Sequence, residues 1–250
     1  MNALRPLAVF AGLIALWQAI VWAAGLPPFI LPAPARVAAT LAERWDFLFA
    51  QAAITLLEMA LGLVAGATFG ALCALALAQV PPLRRWLLPV VIASQAVPIF
   101  AIAPLLVIWF GYGIASKVVA AALVIFFAVT STFYDGLTRT ERGFLDLARV
   151  MGASPWRLLV HVRVPAALPA LASGLRVAAV IAPIGAVIGE WVGASAGLGF
   201  VMLHANARMQ TDLMFAALFI LGVVGVALYH VVDLLLRRLI PWQPVTVSQD

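Results

Sequence analysis

Residues 146–165 read DLARVMGASPWRLLVHVRVP, the most polar long stretch of an otherwise apolar chain. Phe144, Leu147, Ala148 and Met151 recur at helical intervals and form one apolar face, while Asp146 and Arg149 lie off it. Gly152 then supplies a left-handed helix stop. Ser154 caps a second helix with Pro155 at its first position, the favoured arrangement for a helix start. That short helix runs through Trp156, Leu159 and Val160 until Pro165 limits it. The expected product is helix, glycine turn, helix, with apolar side chains left exposed. Two uses fit such a face: docking in a groove on a partner, or lying on lipid headgroups with Arg149, Arg157 and Arg163 toward anionic lipid.

Outward from this stretch the chain is a membrane protein by composition. Of its 250 residues 65% are hydrophobic and 10% charged, against roughly a quarter charged in soluble domains. Six apolar stretches, 7–24, 53–79, 86–109, 114–133, 171–191 and 213–236, approach or exceed the ~20 residues that cross a bilayer core. The expected fold is all-α, one polytopic domain over 1–250 with six transmembrane helices and a connecting loop at 135–170. The net charge of +5 does not require nucleic acid. Arg5, Arg84, Arg85, Arg139, Arg142, Arg149, Arg157, Arg163, Arg176, Arg237 and Arg238 fall on one side of a six-span arrangement, and only Arg36, Arg44, Lys117 and Arg208 on the other. The positive-inside rule puts the first set, with both termini, in the cytoplasm. The lone Cys73 lies within an apolar span and reads as a small core residue. The first span is long for a signal peptide, and cleavage there would leave an odd number of spans.

Between the first two spans, prolines 27, 28, 32 and 34 hold the backbone extended. Arg36 to Trp45 then form a short interfacial helix, and Trp45, Phe47 and Phe49 suit the aromatic belt. In the second span Gly62, Gly66, Gly70, Ala74 and Ala78 repeat every fourth residue, a face that admits close helix approach in lipid, within one subunit or between two. Thr55 and Glu58 just before it fit the T-x-x-E capping box, which favours Glu58 as a helix-end residue over an ion site. The third span carries Pro89, Pro98 and Pro104. Such a kinked helix, with Ser94 and Gln95 at mid-depth, is either a lining of a translocation path or a bent packing helix. Glu190 ends the fifth span; it is either functional within the membrane or an outer-interface residue paired with Arg208.

Enzymatic readings fare poorly. Gly193, Ser195 and Gly197 satisfy G-x-S-x-G, with Asp212 and His230 in hydrolase order, but a membrane helix precedes the motif instead of a strand. A rhomboid-type intramembrane serine protease would need glycine where Ala196 stands. No G-x-x-x-x-G-K-[ST] sequence occurs, so ATP hydrolysis by this chain is not expected. His161, His204 and His230 are far apart, and no metal site is expected.

The opening stretch resembles the cytoplasmic EAA loop of ABC importer permeases, E-A-A-x3-G-x9-I-x-L-P. Here Asp146, Leu147 and Ala148 are followed at the same spacing by Gly152 and by Val162, Arg163, Val164 and Pro165. Asp stands for Glu, Leu for the first Ala, and Val for both Ile and Leu. QAVPIFAIAPLLVIWFGYG, residues 95–113, is similar to the P-x5-P-L-x-x-x-W-F-G pattern of the nitrate, sulfonate and taurine permease group. VIGEWVGASAGLGF, residues 187–200, is similar to its E-x-x-x-x-x-x-G-L-G pattern. The resemblance implies the type I importer permease fold in the bacterial inner membrane. It implies an ATPase-coupling element of Asp146, Leu147, Ala148, Gly152, Ala153, Trp156, Arg157 and Pro165. Ser94, Gln95, Pro98 and Glu190 are expected along the translocation path. ATP and Mg would be held by a partner ATPase dimer and no cofactor by this chain; an external solute-binding protein and a second permease copy complete the assembly. The run 189–218 and residues 126–137 look most like permeases for thiamine pyrimidine precursors such as hydroxymethylpyrimidine. Sulfonate, taurine, nitrate and riboflavin are the alternatives.

Overall fold

A computed structural model describes residues 4–242. The remaining positions at both chain ends, and the side chain of Arg5, lie outside the described residues. The described residues form helices without strands, in the order α1 (Leu4–Ala24), α2 (Pro34–Glu43), α3 (Trp45–Gln79), α4 (Pro81–Ser94), α5 (Ile99–Phe110) and α6 (Ile114–Thr138). After these come α7 (Arg142–Val150), α8 (Pro155–Leu158), a π-helical turn (Leu159–Arg163), α9 (Val164–Gly193), α10 (Leu198–Ala207) and α11 (Thr211–Leu239).

The core is α6 held between α3 and α9, and small residues make that possible. A Cβ on Gly66 would lie 2.7 Å from the Ala122 carbonyl, and one on Gly70 2.8 Å from that of Phe126. From the other side, a Cβ on Gly185 would meet the Ala121 backbone at 2.6 Å and one on Gly189 the Lys117 backbone at 2.9 Å. Glycine on both flanks brings three backbones together where packing, not water exclusion, drives association. The four-residue repeat of the second span is therefore an intrachain seam. Around it, Met59, Leu63, Ile125, Val129, Ala178, Ala179 and Ala182 fill the middle of the bundle.

Four helical runs are long and apolar enough to cross a membrane: Trp45–Gln79, Ile114–Thr138, Pro155–Gly193 and Thr211–Leu239. The expected span 86–109 is not one kinked helix. It divides into α4 and α5, which meet at an angle of 103°. Pro98 disfavours the helical region for Val97 before it and starts α5 with no amide to donate. The chain turns an elbow there, and the pair is either one broken span or a re-entrant loop. The apolar part of α1, Ala8–Ala24, lies where the first span is expected but is shorter than these runs, so the described residues hold four spans, or five with the bent pair, against the six expected. Phe10, Leu13, Leu16 and Trp22 face outward, while Trp17 packs on Phe215 of α11 at 5.5 Å.

Candidate functional site

Helix α7 ends as its sequence predicts. Gly152 has φ +80°, its N–H donates to the Arg149 carbonyl at 2.9 Å, and the Ala153 N–H reaches back to the Ala148 carbonyl at 2.9 Å. These are the two bonds of a Schellman stop, which satisfy carbonyls that the helix leaves open. Ser154 Oγ then accepts from the Arg157 N–H at 3.4 Å, with Pro155 in the first turn of α8. Leu145 is turned inward, while Phe144, Leu147, Val150, Met151 and Trp156 are exposed, Val150 to 87% and Met151 to 78%. Asp146 is engaged with Arg149 at 2.8 Å on the rim. The element presents an apolar ridge bordered by charge at the arginine-rich end of the bundle.

Pro165 does not limit the second helix. The chain passes from α8 through the π-helical turn directly into α9, and the Val164 N–H spans five residues to the Leu159 carbonyl. Pro165 falls in the first turn of α9. The wider turn before it shifts the pattern of donors, so its missing N–H interrupts nothing.

Ser94, Gln95 and Pro98 lie exposed at the α4–α5 elbow, where Ser94 Oγ donates to the Val91 carbonyl at 2.7 Å. Phe100 packs edge-on against Trp191 at 5.9 Å, which ties the start of α5 to α9. Glu190, next to Trp191, is not at a water interface. It is 1% exposed, whereas Arg208 is exposed. Glu190 Oε1 accepts from the Thr55 hydroxyl at 2.6 Å. Its Oε2 accepts from the Gly199 N–H and, at 3.3 Å, from the Phe200 N–H.

Thr55 and Glu58 are not helix-end residues either. They lie inside α3, which begins at Trp45. Thr55 Oγ1 accepts from the Leu198 N–H at 2.8 Å, so it caps α10 instead, and Gln51 Oε1 accepts from the Gly197 N–H at 2.7 Å. Glu58 is buried and pairs with Lys117 Nζ at 3.5 Å; Lys117, placed by the sequence on the outer side, is itself only 6% exposed. Gln51, Thr55 and Glu58 stand at i, i+4 and i+7, a polar stripe on one face of an apolar helix. That spacing was the available signal for a buried site.

No hydrolase triad forms from Ser195, Asp212 and His230. Asp212 accepts from the Thr40 hydroxyl at 3.2 Å and pairs with Arg36 at 3.4 Å. His230 lies on the same straight helix, roughly 27 Å further along at the 1.5 Å rise per residue.

Residues 66–243 match the family described as "Binding-protein-dependent transport system inner membrane component". The chain belongs to this family. The permease is 52% identical over 237 residues to a "Probable ABC transporter permease protein" of Haemophilus influenzae, covering 95% of this chain and 97% of that one. It is 34% identical over 243 residues to the "Formylaminopyrimidine transport permease protein ThiX" of Halalkalibacterium halodurans, covering 97% of each chain. It is also 38% identical over 239 residues to the "Riboflavin transport system permease protein RibX" of Chloroflexus aurantiacus, covering 92% of this chain and 87% of that one. Its fold matches a chain of the inward-facing MetNI methionine ABC transporter with a TM-score of 0.61 at 20% identity, covering 77% of this chain and 96% of that chain. The architecture is that of a type I importer permease. The chain is the membrane subunit of an ABC importer, a class that works with an ATPase and a binding protein.

Proposed function

We propose that this permease couples to its ATPase through the α7–Gly152–α8 element and imports a thiamine pyrimidine precursor of the hydroxymethylpyrimidine type. The observation that carries the coupling is the exposed apolar ridge of Phe144, Leu147, Val150, Met151 and Trp156. It stands on a rigid helix stop with charge only on its rim, which suits an apolar socket better than a headgroup layer. Asp146, Ala148, Gly152, Ala153 and Arg157 fix its shape and border, and Pro165 joins it to the core helix α9. Closure of an ATPase dimer around ATP and Mg would move two such elements, one on each permease copy. The central path would then shift between inward-open and outward-open populations. The arginine-rich end and both termini face the cytoplasm in this reading.

For the substrate, a relative named for formylaminopyrimidine transport is similar over nearly the whole of both chains. The polar groups proposed to line the path, Ser94 and Gln95 beside Pro98, are uncharged and suit a neutral heterocycle. Lys117 and Arg176, the cations within α6 and α9, are already paired with Glu58 and Asp233, which disfavours a sulfonate or nitrate path. Riboflavin is the second reading, favoured by the 38% identity to a riboflavin permease. Labelled hydroxymethylpyrimidine and labelled riboflavin, offered to cells lacking and then regaining this permease with its neighbouring transport genes, decide between them. Uptake of the pyrimidine alone is expected; uptake of riboflavin alone would replace the substrate while leaving the coupling reading intact.

A further inference from the structure

The first turn of α10 has an unusual set of partners. A helix leaves its first amides open, and a side chain at the residue before it normally takes one or two of them. Here that residue is Gly197, with no side chain to offer. The amides of Gly197, Leu198, Gly199 and Phe200 are instead taken by Gln51, Thr55 and Glu190. All three acceptors come from other helices, two of them from α3 more than 140 residues away in sequence.

The backbone geometry is fitted to this arrangement. Gly197 has φ +108°, and a Cβ there would collide with the Glu190 carboxylate; a Cβ on Gly199 would stand 2.7 Å from Glu190 Oε2. The G-L-G of residues 197–199 therefore exists to let a carboxylate press against the backbone.

Charge is distributed to match. Two buried carboxylates, Glu58 and Glu190, face the same small region, and each has its own counter-charge. Lys117 serves Glu58 at 3.5 Å, and the positive end of the α10 dipole serves Glu190. Glu58 Oε2 has no hydrogen-bond partner; the Glu58 carboxyl lies against Glu190 as well as Lys117. Lys117 in turn stands where α9 crosses α6, with Gly189 against its backbone. Four helices thus meet in one polar knot inside an apolar bundle.

We propose that Gln51, Thr55, Glu58, Lys117 and Glu190 are positioning residues for transport: they clamp α10 to the α3–α6–α9 core so that these helices move as one body. Relative motion is then left to elements outside the clamp, the α4–α5 elbow first among them. The transport role rests on the permease reading; the clamp itself does not.

The test uses spin labels at Leu203→Cys on α10 and Leu56→Cys on α3, both exposed positions, in a Cys73→Ala background. Label separation is measured for the permease alone and in complex with its ATPase, nucleotide-free and trapped with an ATP analogue. A single narrow separation, the same in both nucleotide states, is expected. Thr55→Val, isosteric but without the hydroxyl, should broaden that separation in the permease alone, and Thr55→Ser should keep it narrow. In the complex, Thr55→Val should also lower ATP-driven uptake at least tenfold relative to ATP hydrolysis, with Thr55→Ser restoring the coupling. A separation that shifts between nucleotide states, or Thr55→Val as narrow as Thr55→Ser, would overturn the clamp. Failure of the chain to bind any ATPase would count against the proposed coupling reading alone, because the valine–serine comparison needs no ATPase.

Discussion

Lys117 sits one turn into α6 with its ammonium group opposite Glu58, both buried in the bundle. Removing one partner of a buried pair leaves a charge uncompensated, at a cost of about 3–5 kcal/mol. Lys117→Met should therefore lower the thermal unfolding midpoint of the detergent-solubilised permease sharply. Lys117→Met combined with Glu58→Gln should recover most of the loss, because no lone charge remains at the Glu58 position. A double variant no more stable than the single one would show that Lys117 acts through packing. The site was half legible in the sequence. Glu190 stands out as an acidic residue within an apolar span, but the T-x-x-E pattern of Thr55 and Glu58 reads as a helix start. The reason is physical: polar residues at the edge of a hydropathic stretch look alike whether they meet water or another helix. Only tertiary contact with Lys117 and with the amides of α10 distinguishes the two.

At the scale of the element, the glycine stop after α7 is encoded locally, which is why the spacing of residues 144–157 was enough to find it. Bonds within about six residues define it, and each is present. Pro165 misled for the converse reason, since a proline marks a boundary only if its neighbours supply no other donor pattern, and here a π-helical turn does. The elbow at Pro98 was legible as a kink but not as a turn of 103°, because the angle is set by packing of α5 on α6 and α9. Two predictions belong here. Gly152→Ala has open space around its new Cβ but must hold φ near +80°, at about 1–2 kcal/mol of local strain. It should weaken co-purification of the ATPase while membrane insertion is unchanged. Val150→Asp, which keeps the backbone and places a charge on the most exposed part of the ridge, should abolish that co-purification. An ATPase recovered in full with Val150→Asp would move the docking surface elsewhere on the molecule.

Across the whole molecule, the two ends of the bundle differ in kind. One end carries Arg84, Arg85, Arg139, Arg142, Arg149, Arg157 and Arg163 around an exposed apolar ridge. The other carries α2, the α10–α11 turn and a local Arg36–Asp212 pair. Cations concentrate on the cytoplasmic side of membrane proteins because loops rich in them resist translocation. That asymmetry, together with the proposed docking of the ridge on an ATPase, is the ground for proposing that the arginine-rich end faces the cytoplasm. Two single cysteines in a Cys73→Ala chain test the orientation. Met209, at the α10–α11 turn, is 70% exposed and Val150 is 87% exposed, so both side chains are open to a reagent. A membrane-impermeant maleimide should label Met209→Cys in spheroplasts, and should label Val150→Cys only after the membrane is permeabilised. Because Met209 holds φ +54°, its backbone is already strained for any side chain, and cysteine adds no new penalty there. The reverse labelling pattern would turn the permease over in the membrane, and with it the ridge would lose access to any cytoplasmic ATPase.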